Sequence, residues 1–164
     1  MTDGVLTALN VLTERVAVLE AHRAAGDLMH RYAGALDDPD PQRLSLLFTR
    51  TGILRTPSAE YRGRSAIGGF FAAARERDTS DKRHFVCQPE IEAQESGIVS
   101  LRCYFLYTAL GSGRSALGWG TYAAECLTDF GTAQFESLTI AVHGDADLST
   151  ARRLGPENSG QLTR

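Results

Sequence analysis

The sequence predicts an α+β fold in a single domain, because a helical first half is followed by four long strand-like segments joined by short turns. Up to about residue 77, apolar residues recur at three-and-four spacing, which is typical of helices. After that point, aromatic and β-branched residues dominate, as in strands. Helices first and antiparallel strands afterwards is the order of an α+β domain. A chain of 164 residues suits one domain with a core of its own.

Three helices are predicted in the first half. The first covers residues 6–36, and Gly26 weakens its interior, so that it forms either two helices or one bent helix. It ends at Leu36, because the following run Asp37-Asp38-Pro39-Asp40-Pro41 cannot continue a helix. Pro41 then suits the first turn of a short helix through residue 48. The third helix is predicted over residues 65–77.

Five strands are predicted, over residues 51–56, 84–93, 98–110, 116–129 and 134–143. The last four are separated by turn sequences: Glu95-Ser96-Gly97, Gly111-Ser112-Gly113 and Phe130-Gly131. Such short connections favour antiparallel neighbours. A curved antiparallel sheet with helices on its concave side would leave a closed-ended cavity, the usual form of a small-molecule site. Residues 1–143 form the predicted domain, and the polar segment 144–164 is predicted to be a flexible tail.

Composition and charge exclude several classes of protein. The apolar fraction of 43%, the charged fraction of 23% and the net charge of −3 are ordinary and argue against nucleic acid as a partner. No apolar stretch approaches the length of a membrane span, and no signal-peptide pattern opens the sequence, so a cytoplasmic protein is expected. Cys87, Cys103 and Cys126 are too widely spaced for a disulfide framework or a zinc site and are expected in the core.

The candidate catalytic residues are His84, Asp37 and Tyr32. His84 begins a strand and shares a face with Val86, so its imidazole is expected on an apolar inner surface where it needs a hydrogen-bond partner. Tyr32 lies on the apolar face of the first helix, and Asp37 follows it by five residues, in the same broad quadrant. A carboxylate bonded to one imidazole nitrogen leaves the other as a base. A phenol could donate to a developing oxyanion.

Structural roles would also explain these residues. Asp37 could simply end a helix and begin a turn, and Tyr32 could be an ordinary core tyrosine.

The candidate substrate-binding residues are the apolar and aromatic side chains Phe70, Val86, Tyr107, Trp119 and Tyr122. No phosphate loop, dinucleotide fingerprint or nucleophile elbow is present, and a single suitable histidine makes no complete metal ligand set. No cofactor and no metal are therefore expected.

Several short motifs in order resemble the SnoaL-like proteins of the NTF2-like superfamily. They are Asp27-Leu28-Met29-His30-Arg31-Tyr32 continuing to Leu36-Asp37, Phe48-Thr49 before Gly52, Gly63-Arg64-Ser65-Ala66-Ile67, Arg83-His84-Phe85-Val86, Tyr104-Phe105-Leu106 and Gly120-Thr121-Tyr122. The pattern is similar to that of scytalone dehydratase, bile acid 7α-dehydratase and hexachlorocyclohexane dehydrochlorinase. The resemblance implies a cystatin-like cone with His84 as base, Asp37 as its orienting partner and Tyr32 as the phenol.

This resemblance implies a cofactor-independent dehydratase, isomerase or cyclase. Its substrate would be a hydrophobic oxygenated small molecule, such as a polyketide, a steroid or an aromatic compound, with secondary metabolism as one setting. Two alternatives stay open: a non-catalytic ligand-binding or assembly module, and an epoxide hydrolase, which would need further carboxylate or arginine partners in the pocket. Aromatic residues on the outer side of the sheet, together with the resemblance, predict a homo-oligomer, either a dimer or a trimer.

Overall fold

The computed structural model describes residues 2–93, 97–111 and 115–148, which form three helices and one sheet. The helices are α1 (Thr2–Asp37), α2 (Pro41–Leu46) and α3 (Gly63–Arg77). The strands are β1 (Phe48–Arg55), β2 (Glu60–Arg62), β3 (Asp81–Ala93), β4 (Ile98–Leu110), β5 (Ala116–Asp129) and β6 (Thr132–Asp147). This arrangement confirms the predicted α+β class, with helices packed on one side of a curved sheet.

The first helix is one uninterrupted element, since Gly26 causes no break. It ends at Asp37, one residue after the predicted end and just before the proline-containing turn. The Asp40 side chain then caps α2 by accepting hydrogen bonds from the backbone N–H groups of Gln42 and Arg43 at 2.9 and 3.2 Å. Pro41 occupies the first turn of α2, where its missing N–H costs nothing. This tight connection turns the chain back beneath the end of α1.

The sheet has the strand order β2-β1-β6-β5-β4-β3. The run from β3 to β6 is antiparallel, whereas β1 pairs in parallel with β6. The short strand β2 was not predicted, because three residues between polar loops carry no alternation that a pattern could reveal. Irregular registers in β3, after Cys87, and in β6, opposite Trp119, mark bulges, which bend a sheet and increase its twist.

The predicted boundaries hold to within a few residues, with one difference at the end of the chain. The last strand continues through Asp147, so residues 144–147 are part of the sheet and not of a tail. The rest of the predicted tail, residues 149–164, lies outside the described residues. So do most of the first two predicted turns, at 94–96 and 112–114. The third turn is present, with Phe130 and Gly131 at φ of 40° and 76°.

The core fills the space between α1 and the concave face of the sheet. Its largest fully buried side chains are Tyr32, Phe48, Phe135, Leu28, Met29, Leu44, Leu54, Ile67, Leu101 and Leu138. Cys103 and Cys126 belong to this core, but Cys87 is exposed, so the prediction that it is buried was wrong. Alternation along β3 places Cys87 on the outer face with Phe85, opposite to His84 and Val86. None of the helices in the described ranges is long and apolar enough to span a bilayer.

Candidate active site

A cavity of about 500 Å³ lies between the C-terminal end of α1, α3 and the concave face of the sheet. Its wall is mainly apolar and aromatic, with a few convergent polar groups, which is the usual make-up of a small-molecule site. The lining residues are Tyr32, Leu36, Asp37, Pro39, Leu44, Phe70, Phe71, Ala74, Arg75, Asp78, Thr79, Ser80, Lys82, His84, Phe105, Tyr107, Tyr122, Ile140 and Val142.

A polar contact in the wall joins β3 to the end of α1 through His84 and Asp37. The Oδ1 atom of Asp37 accepts two hydrogen bonds, one from the backbone N–H of His84 and one from its ring Nδ1, both at 2.8 Å. Because a carboxylate oxygen only accepts, Nδ1 carries the proton and Nε2 is the unprotonated nitrogen of the neutral ring. Two bonds to one oxygen fix both the strand and the ring against the helix. The His84 side chain is only 10% exposed.

Burial lowers the pKa of His84 from its ordinary value. The hydrogen bond to Asp37 and the charge of its carboxylate oppose this shift, and the nearby Lys82 ammonium adds to it. The net direction is downward, so the ring is mostly neutral near pH 7. A neutral imidazole with its Nδ1 proton bonded to a carboxylate is a base at Nε2.

Two phenols lie deeper in the cavity than His84. The hydroxyl of Tyr32 is fully buried and has no hydrogen-bond partner among the described residues. Burial raises the pKa of Tyr32 well above its usual range, with a smaller contribution from Tyr122. Burial also raises the pKa of Tyr122, followed by the charges of Cys103, Asp37 and Tyr107. Both phenols therefore keep their protons at neutral pH and can act as hydrogen-bond donors.

Aromatic rings connect His84 to these phenols along β4 and β5. Tyr107 stacks on the imidazole with a centroid distance of 5.7 Å, and Phe105 stacks on Tyr122 at 4.4 Å. The rings of Tyr107 and Phe105 lie flat over strand β5 because Gly118 and Gly120 present no side chain there; a Cβ on Gly120 would come within 2.6 Å of the Phe105 ring. The two glycines thus make room for the aromatic wall.

The mouth of the cavity is polar and lies where α3 ends. Asp78 pairs with Lys82 at 2.8 Å and accepts a hydrogen bond from Ser80 Oγ at 2.6 Å. Partial burial alone would raise the pKa of Asp78, but the hydrogen bonds from Lys82 and Ser80 lower it to about 2. Arg75, in the last turn of α3, also lines the mouth and is exposed. The polar groups thus lie at the entrance and at the His84–Asp37 pair, and the walls between them are apolar.

The structure brings together His84, Asp37, Tyr32, Phe70, Tyr107 and Tyr122, which were all predicted to belong to the site. Trp119 was predicted to line the cavity, and this prediction was wrong. Gly118 and Gly120 face inward, so Trp119 between them faces outward, and its ring lies on the convex side of the sheet, over Gly144. Val86 is also misplaced, because it packs against the hydrophobic core and does not line the cavity.

Sequence reasoning missed several lining residues. Phe105 has the same strand parity as Tyr107, which is the signal that could have placed it in the wall. Lys82 and Asp78 lie in a polar connection that carries no pattern, and only the fold brings them to the mouth. Outside the cavity, His22 Nε2 is buried without a hydrogen-bond partner among the described residues. Among those residues, no group of three or more His, Cys, Asp or Glu side chains could hold a metal ion.

We expect Tyr32→Phe to raise the free energy of unfolding. The substitution removes a buried hydroxyl without a partner, and leaving such a group unsatisfied costs about 1–3 kcal/mol. Urea unfolding monitored by fluorescence measures the change. Tyr104→Phe is the matched control, because Tyr104 is exposed on the convex face. Removing its hydroxyl should change the free energy of unfolding by no more than about 0.5 kcal/mol. A loss of stability in Tyr32→Phe would mean that the hydroxyl has a structural partner.

The fold and the cavity together define the class of protein. Helices that close the concave side of a curved, mostly antiparallel sheet around an apolar cavity form the cystatin-like, or NTF2-like, fold. Within that class the chain belongs to the SnoaL-like domain family, whose model matches residues 17–139. The resemblance noted from the sequence motifs is thereby confirmed. No curated protein sequence matches the chain.

Solved structures agree on the fold at low sequence identity. A proposed aromatic ring hydroxylase from Novosphingobium aromaticivorans superposes with a TM-score of 0.70 at 21% identity, covering 80% of this chain and 96% of its own. A proposed scytalone dehydratase from the same species superposes with a TM-score of 0.67 at 18% identity, covering 94% of this chain and 95% of its own. The type 3 hexachlorocyclohexane dehydrochlorinase LinA of Novosphingobium barchaimii superposes with a TM-score of 0.72 at 16% identity, covering 91% of this chain and 99% of its own. At such identities the likeness shows the fold alone.

Proposed function

We propose that this protein is a cofactor-independent lyase or isomerase that removes a proton from a hydrophobic, oxygenated small molecule. The observation that carries the proposal is the double hydrogen bond from His84 to Asp37 Oδ1, which leaves Nε2 as the free base in an otherwise apolar wall. A base is most effective when its pKa lies near the working pH and its geometry is fixed. At His84 the hydrogen bonds to Asp37 fix the geometry, and burial lowers the pKa so that the ring is neutral and able to accept a proton.

Loss of water is the first choice of reaction. In this step Nε2 of His84 takes a proton from a carbon next to a carbonyl, and Asp37 stabilises the imidazolium that forms. The Tyr32 or Tyr122 phenol donates a hydrogen bond to the developing enolate or to the departing hydroxyl. The electron pair of the C–H bond forms the new double bond and the C–O bond breaks. The departing hydroxyl takes a proton from the phenol, or directly from the His84 imidazolium, and leaves as water; the imidazolium gives up its proton in either case and returns to the neutral ring. The same groups could shift a double bond or close a ring.

The relatives support elimination. The names of two neighbours describe losses of a small molecule: a dehydratase and a dehydrochlorinase. By their names, the two reactions differ in the leaving group, which is water in one and hydrogen chloride in the other. A polyketide-, steroid- or aromatic-like substrate would suit a cavity of about 500 Å³ with stacked aromatic walls.

The two alternatives have less support. For epoxide hydrolysis, the cavity would need a carboxylate free to activate water, but Asp37 is bonded to His84 and Asp78 to Lys82. The arginine in the lining, Arg75, is exposed at the mouth and lies away from the His84–Asp37 pair. A binding module without catalysis would use His84 only as a structural partner. That reading gives no reason for a ring nitrogen and a fully buried, unpartnered phenol in the same cavity.

The test uses 3-hydroxy-1-tetralone, a flat bicyclic ketone with an acidic C–H bond and a hydroxyl in the adjacent position. Loss of water followed by tautomerisation gives the fluorescent product 1-naphthol. We expect the protein to form 1-naphthol faster than buffer does, and a His84 variant to form it no faster than buffer. Binding of the ketone without any acceleration would instead support the non-catalytic module.

We expect kcat/KM for this reaction to be constant at neutral pH and to fall in acid. His84 must be neutral to accept a proton, and burial holds its pKa below the ordinary value of about 6.5, so the falling limb should lie below that pH. The same shift means that neutral His84 contributes stability above about pH 6.5, which is lost as the pH falls through the folded-state pKa. A pH–rate profile measures the midpoint of the fall in kcat/KM. A midpoint above about 6.5 would contradict the assigned environment.

We further propose that copies of the chain associate through the convex face of the sheet. Phe85, Tyr104 and Trp119 are exposed there on adjacent strands, and large exposed aromatic patches mark interaction sites. Sedimentation of Trp119→Glu tests this: the particle mass should fall to that of a smaller assembly, whereas an unchanged mass would exclude this face.

A further inference from the structure

The N-terminal half of α1 carries a row of exposed apolar side chains that no described part of the chain covers. The row consists of Val5, Leu9, Leu12, Val16 and Leu19, each between 51% and 68% exposed. We call these five residues the heptad stripe, because they follow one another at spacings of four, three, four and three. That spacing is the a and d pattern of a coiled coil.

The heptad stripe is not a continuation of the core-facing side of α1. Farther along the helix, Leu28, Met29 and Tyr32 are fully buried against the sheet. At about 100° per residue, the centre of the stripe lies about 180° around the axis from the centre of these buried residues. A second helix could therefore pack on the stripe without meeting the body of the domain that α1 belongs to.

We propose that the heptad stripe pairs with the same segment of a second copy of this chain in a parallel, two-stranded coiled coil. In this register Leu9 and Val16 occupy a positions, and Val5, Leu12 and Leu19 occupy d positions. Val16 at a, flanked by Leu12 and Leu19 at d, is the combination that favours two strands over three. The two domains would then lie on opposite outer sides of the paired helices.

Charges beside the stripe fit the parallel orientation. In the same register Arg15 takes a g position and Glu20 takes the e position that follows it. In a parallel pair, g of one helix lies beside the following e of the other, so two Arg15–Glu20 ion pairs form across the interface. Neither residue takes part in any of the ion pairs between described side chains. An antiparallel pair would instead place Arg15 against Arg15.

Two further points favour a second copy over other occupants. A short coiled coil is marginal on its own because helix nucleation is costly, but here the domain already anchors the C-terminal half of α1. A membrane surface would require a basic polar face. Residues 4–20 contain two acidic residues, Glu14 and Glu20, and one basic residue, Arg15.

Sedimentation velocity on the full chain tests the pairing. We expect Leu12→Glu to halve the particle mass, because it places two like charges at a paired d position. Asn10→Glu is the matched control, since it adds the same charge at a b position on the outer side of the pair and should leave the mass unchanged. Leu12 is 57% exposed in the single chain, so circular dichroism should show a folded variant. A wild-type chain of monomer mass, or a Leu12→Glu variant of unchanged mass, would overturn the proposal.

Two variants then test the orientation. Arg15→Glu should weaken the association by placing two acidic residues together, and the double variant Arg15→Glu/Glu20→Arg should restore it. With Cys87→Ser as background, Leu19→Cys should form a disulfide between copies on oxidation, since equivalent d residues meet in a parallel pair. Failure of the double variant to restore association, or absence of the Leu19→Cys disulfide, would overturn the parallel register.

Discussion

We expect His84→Asn to lower kcat/KM for proton removal from 5-nitrobenzisoxazole by about 10²–10⁴-fold, the usual contribution of a general base. This aromatic carbon acid needs only a base: removal of its C–H proton breaks the N–O bond and releases a coloured phenolate. Asparagine can still donate to Asp37 Oδ1 from the position of Nδ1, but it has no basic nitrogen. The substitution therefore removes the base while keeping the contact between β3 and α1.

The matched control is His30→Asn, which makes the same change on the exposed surface of α1. It should leave the rate at the wild-type value. If His84→Asn also retained the wild-type rate while remaining folded, the base would be another group, and the proposed mechanism would be wrong. If wild-type protein bound the probe without acceleration, His84 would be a structural residue.

The second large effect is expected for Asp37→Asn, which should lower the same rate by about 10²–10⁴-fold. An asparagine amide can turn its N–H₂ group towards Nδ1 of His84, and the imidazole then carries its proton on Nε2. In that tautomer the nitrogen facing the cavity is a donor and cannot accept a proton. The lost negative charge also removes the stabilisation of the imidazolium.

Asp38→Asn is the control for this variant, because Asp38 is the next residue, is exposed and makes no contact with His84. Its rate should equal that of wild type. The double variant His84→Asn/Asp37→Asn should be no slower than His84→Asn alone, since the two residues act as a unit. Additive losses would show that Asp37 acts on the reaction without His84.

The sequence predicted the site where local patterns and family motifs agreed. His84 and Asp37 are 47 residues apart, but each lies at the end of an element whose boundary is clear: the proline that ends α1 and the start of a long strand. Spacing alone left Asp37 as a possible turn residue. The resemblance to SnoaL-like proteins supplied the pairing, and the structure places the two side chains in direct contact.

The remaining differences between the predicted and the observed structure come from contacts between residues that are far apart in the sequence. Trp119 and Tyr122 are three residues apart in one strand, and the alternation of side chains allows only one of them to face the cavity. Which face is inner depends on Gly118 and Gly120, whose missing side chains make room for rings from β4. The mouth residues Asp78 and Lys82 come together only because α3 ends beside β3. The parallel pairing of β1 with β6 joins the two ends of the fold and likewise has no local signal.

The central claim is that His84 is a neutral base whose proton is held on Nδ1 by Asp37. Nitrogen-15 NMR of the imidazole tests this most directly, with 2-naphthol as a pocket ligand. At pH 7 we expect Nδ1 to give the shift of a protonated nitrogen and Nε2 that of an unprotonated one, with Nε2 moving when 2-naphthol binds and the pattern inverting in Asp37→Asn. The account would be contradicted by an imidazolium at pH 7, by a proton on Nε2 in the wild type, or by an Nε2 chemical shift that does not change when 2-naphthol binds.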